Sequence, residues 1–128
     1  MILVDSSVMF DHLRNRDPRL VFHFAKFPVA VGGVTRAEVL HGARNPADRA
    51  KLTTFLARFG QIPFDESLWD ALGDNLALLR SKGLSVPFQD VVLATLAIHH
   101  DLEVWARDHH FPLMQKWLPA LKLSAEPP

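Results

Sequence analysis

Residues 1–10 read MILVDSSVMF. An apolar run of strand length ends on Asp5, two hydroxyl residues follow at once, and apolar residues return at Val8, Met9 and Leu13 with helical spacing. A buried strand that passes straight into a helix, with a carboxylate at the junction, is the opening unit of an α/β chain. Asp and Ser are also favoured helix caps, so a single junction acid establishes little. The reading sharpens if acids recur at comparable junctions.

Working outward, the alternation continues. Residues 2–5 are expected as a strand and 6–14 as a helix, with 18–27 a second helix. Pro28 breaks the chain, and 29–33 reads as a strand ending in a glycine turn before a helix at 35–44. Asn45-Pro46 places proline at a helix start, and Leu52, Phe55, Leu56 and Phe59 give 47–59 a helical period. Residues 61–64 suit a strand. A long helix is expected at 65–82, with a stripe of Leu68, Leu72, Leu76 and Leu79 and Gly83 as its cap. Residues 87–100 form a very apolar helix, 102–106 a strand, 108–118 a mixed segment broken by Pro112 and Pro119, and 120–124 a last edge strand. Trp105 lies on a core strand, and Trp69 continues the apolar face of the long helix. Strands alternating with helices predict a three-layer α/β/α fold, a short, mainly parallel sheet flanked by helices. Residues 1–124 are expected as one domain and 125–128 as a flexible tail.

The bulk composition agrees. At 128 residues and 48% hydrophobic, the chain can bury a core. Fourteen Lys and Arg balance fourteen Asp and Glu, so any grip on nucleic acid must come from a local patch. The absence of cysteine excludes disulfides and thiolate metal sites and fits a cytoplasmic location. No apolar run approaches the ~18 residues of a membrane span, and Asp5 arrives too early for a signal peptide.

Asp5 has counterparts. Glu38 lies in the first turn of the helix expected after the second strand, Asp90 opens the helix DVVLATLAIHH, and Asp108 follows the strand LEVWA. In a doubly wound sheet the carboxyl ends of the strands share one edge, where ligands bind. Each acid also has a local explanation. Asp5 can cap a helix, Thr35-Arg-Ala-Glu38 has the form of a capping box, Asp90 can favour a helix N-terminus, and Asp108 can make a turn. As a set they repel one another in a low-dielectric crevice, and a divalent cation offsets that repulsion. Oxygen ligands without cysteine suit Mg²⁺ or Mn²⁺ over zinc.

The ordered pieces ILVDSSV, GVTRAEVLHG, VPFQDVVLATLAI and LEVWARDHHF, spread over essentially the whole chain, resemble the PIN-domain nucleases, and within them the VapC-type toxins of toxin–antitoxin pairs. The resemblance implies an acidic quartet of Asp5, Glu38, Asp90 and Asp108, and metal-dependent endoribonuclease cleavage of RNA. Asp5, Asp90 and Asp108 would hold Mg²⁺ or Mn²⁺, with Glu38 bound directly or through water. Ser6 and Ser7 match the small residues after the first acid and are expected to hydrogen-bond ligands or phosphate. A small cognate antitoxin and a homodimer are the implied protein partners. Two positions depart from the pattern: Ala106 stands where Thr or Ser is usual, and His110 where an acid is often found. A PIN-like module that binds RNA or protein without cleaving it is the alternative. To hold RNA, Arg36, Arg44, Arg107 and Lys116 are near the motifs, with Arg107 favoured because it adjoins Asp108. His109 and His110 are expected as surface imidazoles.

Overall fold

The computed structural model describes residues 1–125, so the expected tail lies, beyond Ala125, outside the described residues. Strand β1 (Ile2–Val4) is central. It pairs on one side with β2 (Val29–Gly32) and on the other with β4 (Glu103–Trp105). Strands β3 (Gly60–Ile62) and β5 (Lys122–Leu123) form the edges. The order is β3-β2-β1-β4-β5, and every pairing is parallel. Leu3 stands opposite Ala30 and Val104, and Val4 opposite Trp105.

The two-residue period of the strands divides the core between the sheet's faces. Leu3, Ala30 and Val104 meet α5 (Leu68–Ser81), α6 (Phe88–His100) and α7 (His110–Gln115). Val4, Val29, Val31 and Trp105 meet α1 (Ser6–Asn15), α2 (Pro18–Lys26) and α4 (Pro46–Leu56). Helix α3 (Gly33–His41) sends Val34 to the first cluster and Val39 to the second. These are the three layers expected from the alternation. Helix α6 is buried on most sides because α5 covers it, with Leu68, Leu72 and Leu79 inward. Asn75 on α5 donates to the buried Thr95 hydroxyl of α6 at 2.9 Å. Gly83 closes α5 at φ +72°, and Leu84 N–H bonds the Leu79 carbonyl, a glycine C-cap of the kind expected.

Local boundaries differ in instructive ways. Helix α3 begins at Gly33, two residues before the expected start, and its N-cap is Gly32. Thr35 therefore lies inside the helix, and no capping box forms with Glu38. The Thr35 hydroxyl instead donates to the Val4 carbonyl at 3.3 Å, tying α3 to the central strand. A Cβ on Gly32 would stand 2.8 Å from Leu96 Cδ2, so glycine here permits the close approach of α3 and α6. Trp69 does not continue the buried stripe: it is 50% exposed and leans on Phe64. Among the described residues, no helix is long and apolar enough to cross a membrane.

Candidate active site

The chain lays down β1, β2 and β3 toward one edge, then returns to place β4 and β5 on the other side of β1. The order thus reverses between β1 and β4, the place where sheets of this kind form a crevice outside the carboxyl ends of their strands. Asp5 follows β1, and its N–H donates to the Trp105 carbonyl at 2.9 Å. Asp108 follows β4. Helix α6 brings Asp90 in its first turn, and α3 brings Glu38 in its second.

Asp5 is the N-cap of α1. Its Oδ2 accepts from Ser7 N–H at 3.1 Å and from the Ser7 hydroxyl at 2.6 Å. Ser7 Oγ in turn accepts from Arg107 N–H at 3.0 Å, so one hydroxyl fastens Asp5 to the segment after β4. The Ser6 side chain lies near enough to Glu38 to oppose the rise of its pKa. Both serines thus act on acids.

The electrostatics show the four carboxylates as one group. Burial raises the Asp5 pKa; the Ser7 hydrogen bonds oppose this, and the charge of Asp108 adds to it. Burial also raises Glu38, followed by the Asp5 charge, against the nearby Ser6 side chain. Asp90 is pushed up to about 7, first by burial and then by the charges of Asp108, Asp5 and Glu38. Acids far apart in sequence therefore repel within a single crevice, the condition that calls for a compensating cation.

One member of the cluster was read otherwise in the sequence. His110 is no surface imidazole: its side chain is a quarter exposed, and Nδ1 lies 3.0 Å from Asp90 Oδ2 and 3.5 Å from Asp108 Oδ1. The Asp90 contact is a close pairing rather than an aligned hydrogen bond. Asp108 Oδ1 also accepts from His110 N–H at 2.9 Å, which turns the chain into α7. Donor atoms of Asp90, Asp108 and His110 all lie within 4.8 Å of one another. Two carboxylates and an imidazole at that separation fit a divalent ion, with Mn²⁺ accepting the nitrogen more readily than Mg²⁺. The i, i+2 spacing of Asp108 and His110 is the sequence signal for this pair.

The three arginines expected to meet RNA are all engaged, Arg44 with Asp48 at 3.6 Å. Arg107 Nη1 pairs with Asp11 Oδ2 at 3.1 Å. Arg36 Nη1 donates to Gln61 Oε1 at 2.6 Å, on the β3 side of α3.

A fold of this order, with acids gathered at the switch point, defines a class. The family model described as PIN domain matches residues 2–116, and the chain belongs to that family. Over 137 residues it is 31% identical to Ribonuclease VapC10 of Mycobacterium tuberculosis, covering 100% of this chain and 98% of that protein. Among solved structures it resembles VapBC from Salmonella typhimurium bound to DNA (TM-score 0.81, 19% identity, 96% of each chain). It also resembles VapBC2 from Rickettsia felis bound to a promoter DNA fragment (TM-score 0.80, 20% identity, 97% of this chain and 98% of that one). At those identities the two structures speak for the fold.

Proposed function

We propose that the chain is a divalent-metal-dependent endoribonuclease that cleaves RNA phosphodiester bonds and acts as the toxin of a toxin–antitoxin pair. The observation that carries the reading is the mutual repulsion of Asp5, Glu38, Asp90 and Asp108 in one crevice, with Asp90 pushed to about 7. The full-length likeness to a protein named a ribonuclease supports it.

In this reading Asp5, Asp90 and Asp108 hold Mg²⁺ or Mn²⁺, and His110 offers a nitrogen beside them. A bound divalent ion would lower the pKa of an attacking water and neutralise charge at the phosphate. The protein's own part is positioning. Ser7 fixes the orientation of Asp5 through its 2.6 Å hydrogen bond. Glu38, whose raised pKa moves it toward the working pH, takes the proton from the attacking water. Ser6 aims Glu38. Ser6, Ser7, Arg36 and Arg107 line the approach to the phosphate, the arginines exchanging Gln61 and Asp11 for substrate oxygens. Ala106 leaves that approach without a further hydroxyl. The protein works in the cytoplasm as a homodimer held in check by a small antitoxin.

The test is cleavage of structured RNAs with Mg²⁺ or Mn²⁺ by the wild type and Asp5→Asn. Metal-dependent cleavage by the wild type, lost in the variant, is expected. Equal cleavage by both would expose a contaminant. RNA binding without cleavage by the wild type would make the chain a binding module.

A further inference from the structure

The chain carries no net charge, yet its charge is strongly segregated. A cavity of about 700 Å³ between α1, α3 and α4 is lined by Arg14, Arg16, Arg44, Lys51 and Arg58. That is five of the chain's fourteen Lys and Arg, against one acid, Asp48. Asp48 pairs with Arg44 at 3.6 Å. Among the described residues, no carboxylate lies within ion-pair distance of Arg14, Arg16, Lys51 or Arg58. The opposite face balances them with Asp65, Glu66, Asp70 and Asp74, exposed on and before α5. The field of the cations reaches the cavity wall: after burial, Arg16 and Arg58 are what lower the His12 pKa.

The cavity shares helices α1 and α3 with the acidic crevice. Helix α1 begins at Asp5 and Ser6, and Phe10 and Arg14 of the same helix line the cavity. Arg14 lies about 13 Å along the helix from Asp5, at ~1.5 Å per residue. On α3, Glu38 directly precedes Val39, another lining residue. The crevice itself is poor in free cations, since Arg36 and Arg107 are engaged by Gln61 and Asp11. A phosphodiester strand with one phosphate at the carboxylates must find its binding energy further along. The cavity is too small for a duplex and suits a few unpaired nucleotides.

We infer that the α1–α3–α4 groove is a docking track for single-stranded RNA flanking the scissile phosphate, with Arg14, Arg16, Lys51 and Arg58 contacting successive phosphates. The inference rests on RNA being the substrate of the acidic crevice. It adds a binding surface that gives affinity without reading bases, because phosphate contacts carry no sequence information.

The experiment measures fluorescence anisotropy of an unstructured RNA of about 12 nucleotides, a length within the range of single-strand sites. It is run in EDTA across a salt series, so that binding is read without cleavage. Lys51→Glu/Arg58→Glu is expected to weaken binding at least about tenfold and to flatten the slope of log affinity against log salt by about 1.4, the two lost contacts' share. Arg14→Glu acts in the same direction. Lys82→Glu, at the end of α5, binds as the wild type does. Wild-type affinity and slope in both groove variants overturn the track. So does poly-glutamate that displaces the RNA with equal affinity and the same loss in the groove variants, which gives the groove to an acidic peptide. Slope loss in a protein that cleaves no RNA with metal keeps the groove's phosphate contacts but overturns the nuclease reading, and with it the placing of the groove beside a scissile phosphate.

Discussion

Asp5 and Asp90 occupy equivalent places, each at the N-terminal end of a helix facing the same crevice, and both are nearly inaccessible, at 3% and 6% exposure. Their surroundings differ. Asp5 caps α1 and takes hydrogen bonds from the Ser7 hydroxyl and the Ser7 amide. Asp90 lies three residues past its N-cap, Pro87, accepts no capping bond, and faces three like charges. Burial raises both, but donors restrain Asp5, whereas Asp90 is left at about 7 with the His110 imidazole 3.0 Å away. A buried carboxylate is thus stabilised by local donors at one helix and left to a proton, an imidazole or a metal at the other.

The sharpest way to break the comparison is Asp90→Asn. If Asp90 is the metal ligand proposed above, cleavage is expected to fall on the order of a thousandfold, because the charge that would hold the ion is gone. The same change is expected to stabilise the metal-free protein at pH 8 by about 1–3 kcal/mol, since it removes a buried charge among like charges. Denaturant melts in EDTA check the second effect, and a destabilised variant would show that Asp90 is structurally satisfied after all.

Proton linkage comes next in size. The folded Asp90 pKa lies near 7, above its ordinary 3.8, so between those values the folded protein holds a proton that the unfolded chain has lost. Metal-free stability from this group is therefore full below about pH 4 and declines as pH rises toward 7, by at most about 4 kcal/mol. Melts in EDTA at pH 5 and 8 measure it. Saturating Mn²⁺ is expected to remove the decline, because binding favours the ionised form.

His110→Ala is expected to lower Mn²⁺ affinity about tenfold while affecting Mg²⁺ less, since nitrogen is the softer ligand. Calorimetric titration with each ion separates the two. Ser7→Ala has the smallest effect on the melt, a loss of about 1–2 kcal/mol from the hydroxyl's bonds to Asp5 and from Arg107 N–H, while the capping Ser7 amide is kept. The variant should also bring Asp5 closer to Asp90 in behaviour, moving metal binding to higher pH.

Much of this was legible because each element carries its own signal. The run at 1–10, the Leu stripe of α5 and Gly83 depend on near neighbours, and so do the acids at the junctions. What escaped depends on distant partners. The pairing of Arg107 with Asp11 spans 96 residues. The Thr35–Glu38 spacing has the form of a capping box, but the approach of Leu96 to Gly32 accompanies an earlier helix start. Trp69 looks like core until Phe64 is seen to hold it at the surface. The groove cations come from separate helices and the loop between α3 and α4, and in the zero net charge of the whole chain they vanish.

Strand β1 acquires its second hydrogen-bonded neighbour from residues 103–105. During synthesis the central strand therefore waits unpaired on one side until most of the chain has left the ribosome. The bond from Asp5 N–H to the Trp105 carbonyl can form only then. A nascent chain interrupted before residue 105 lacks both this bond and Asp108, so the four carboxylates gather only once nearly the whole sequence is made.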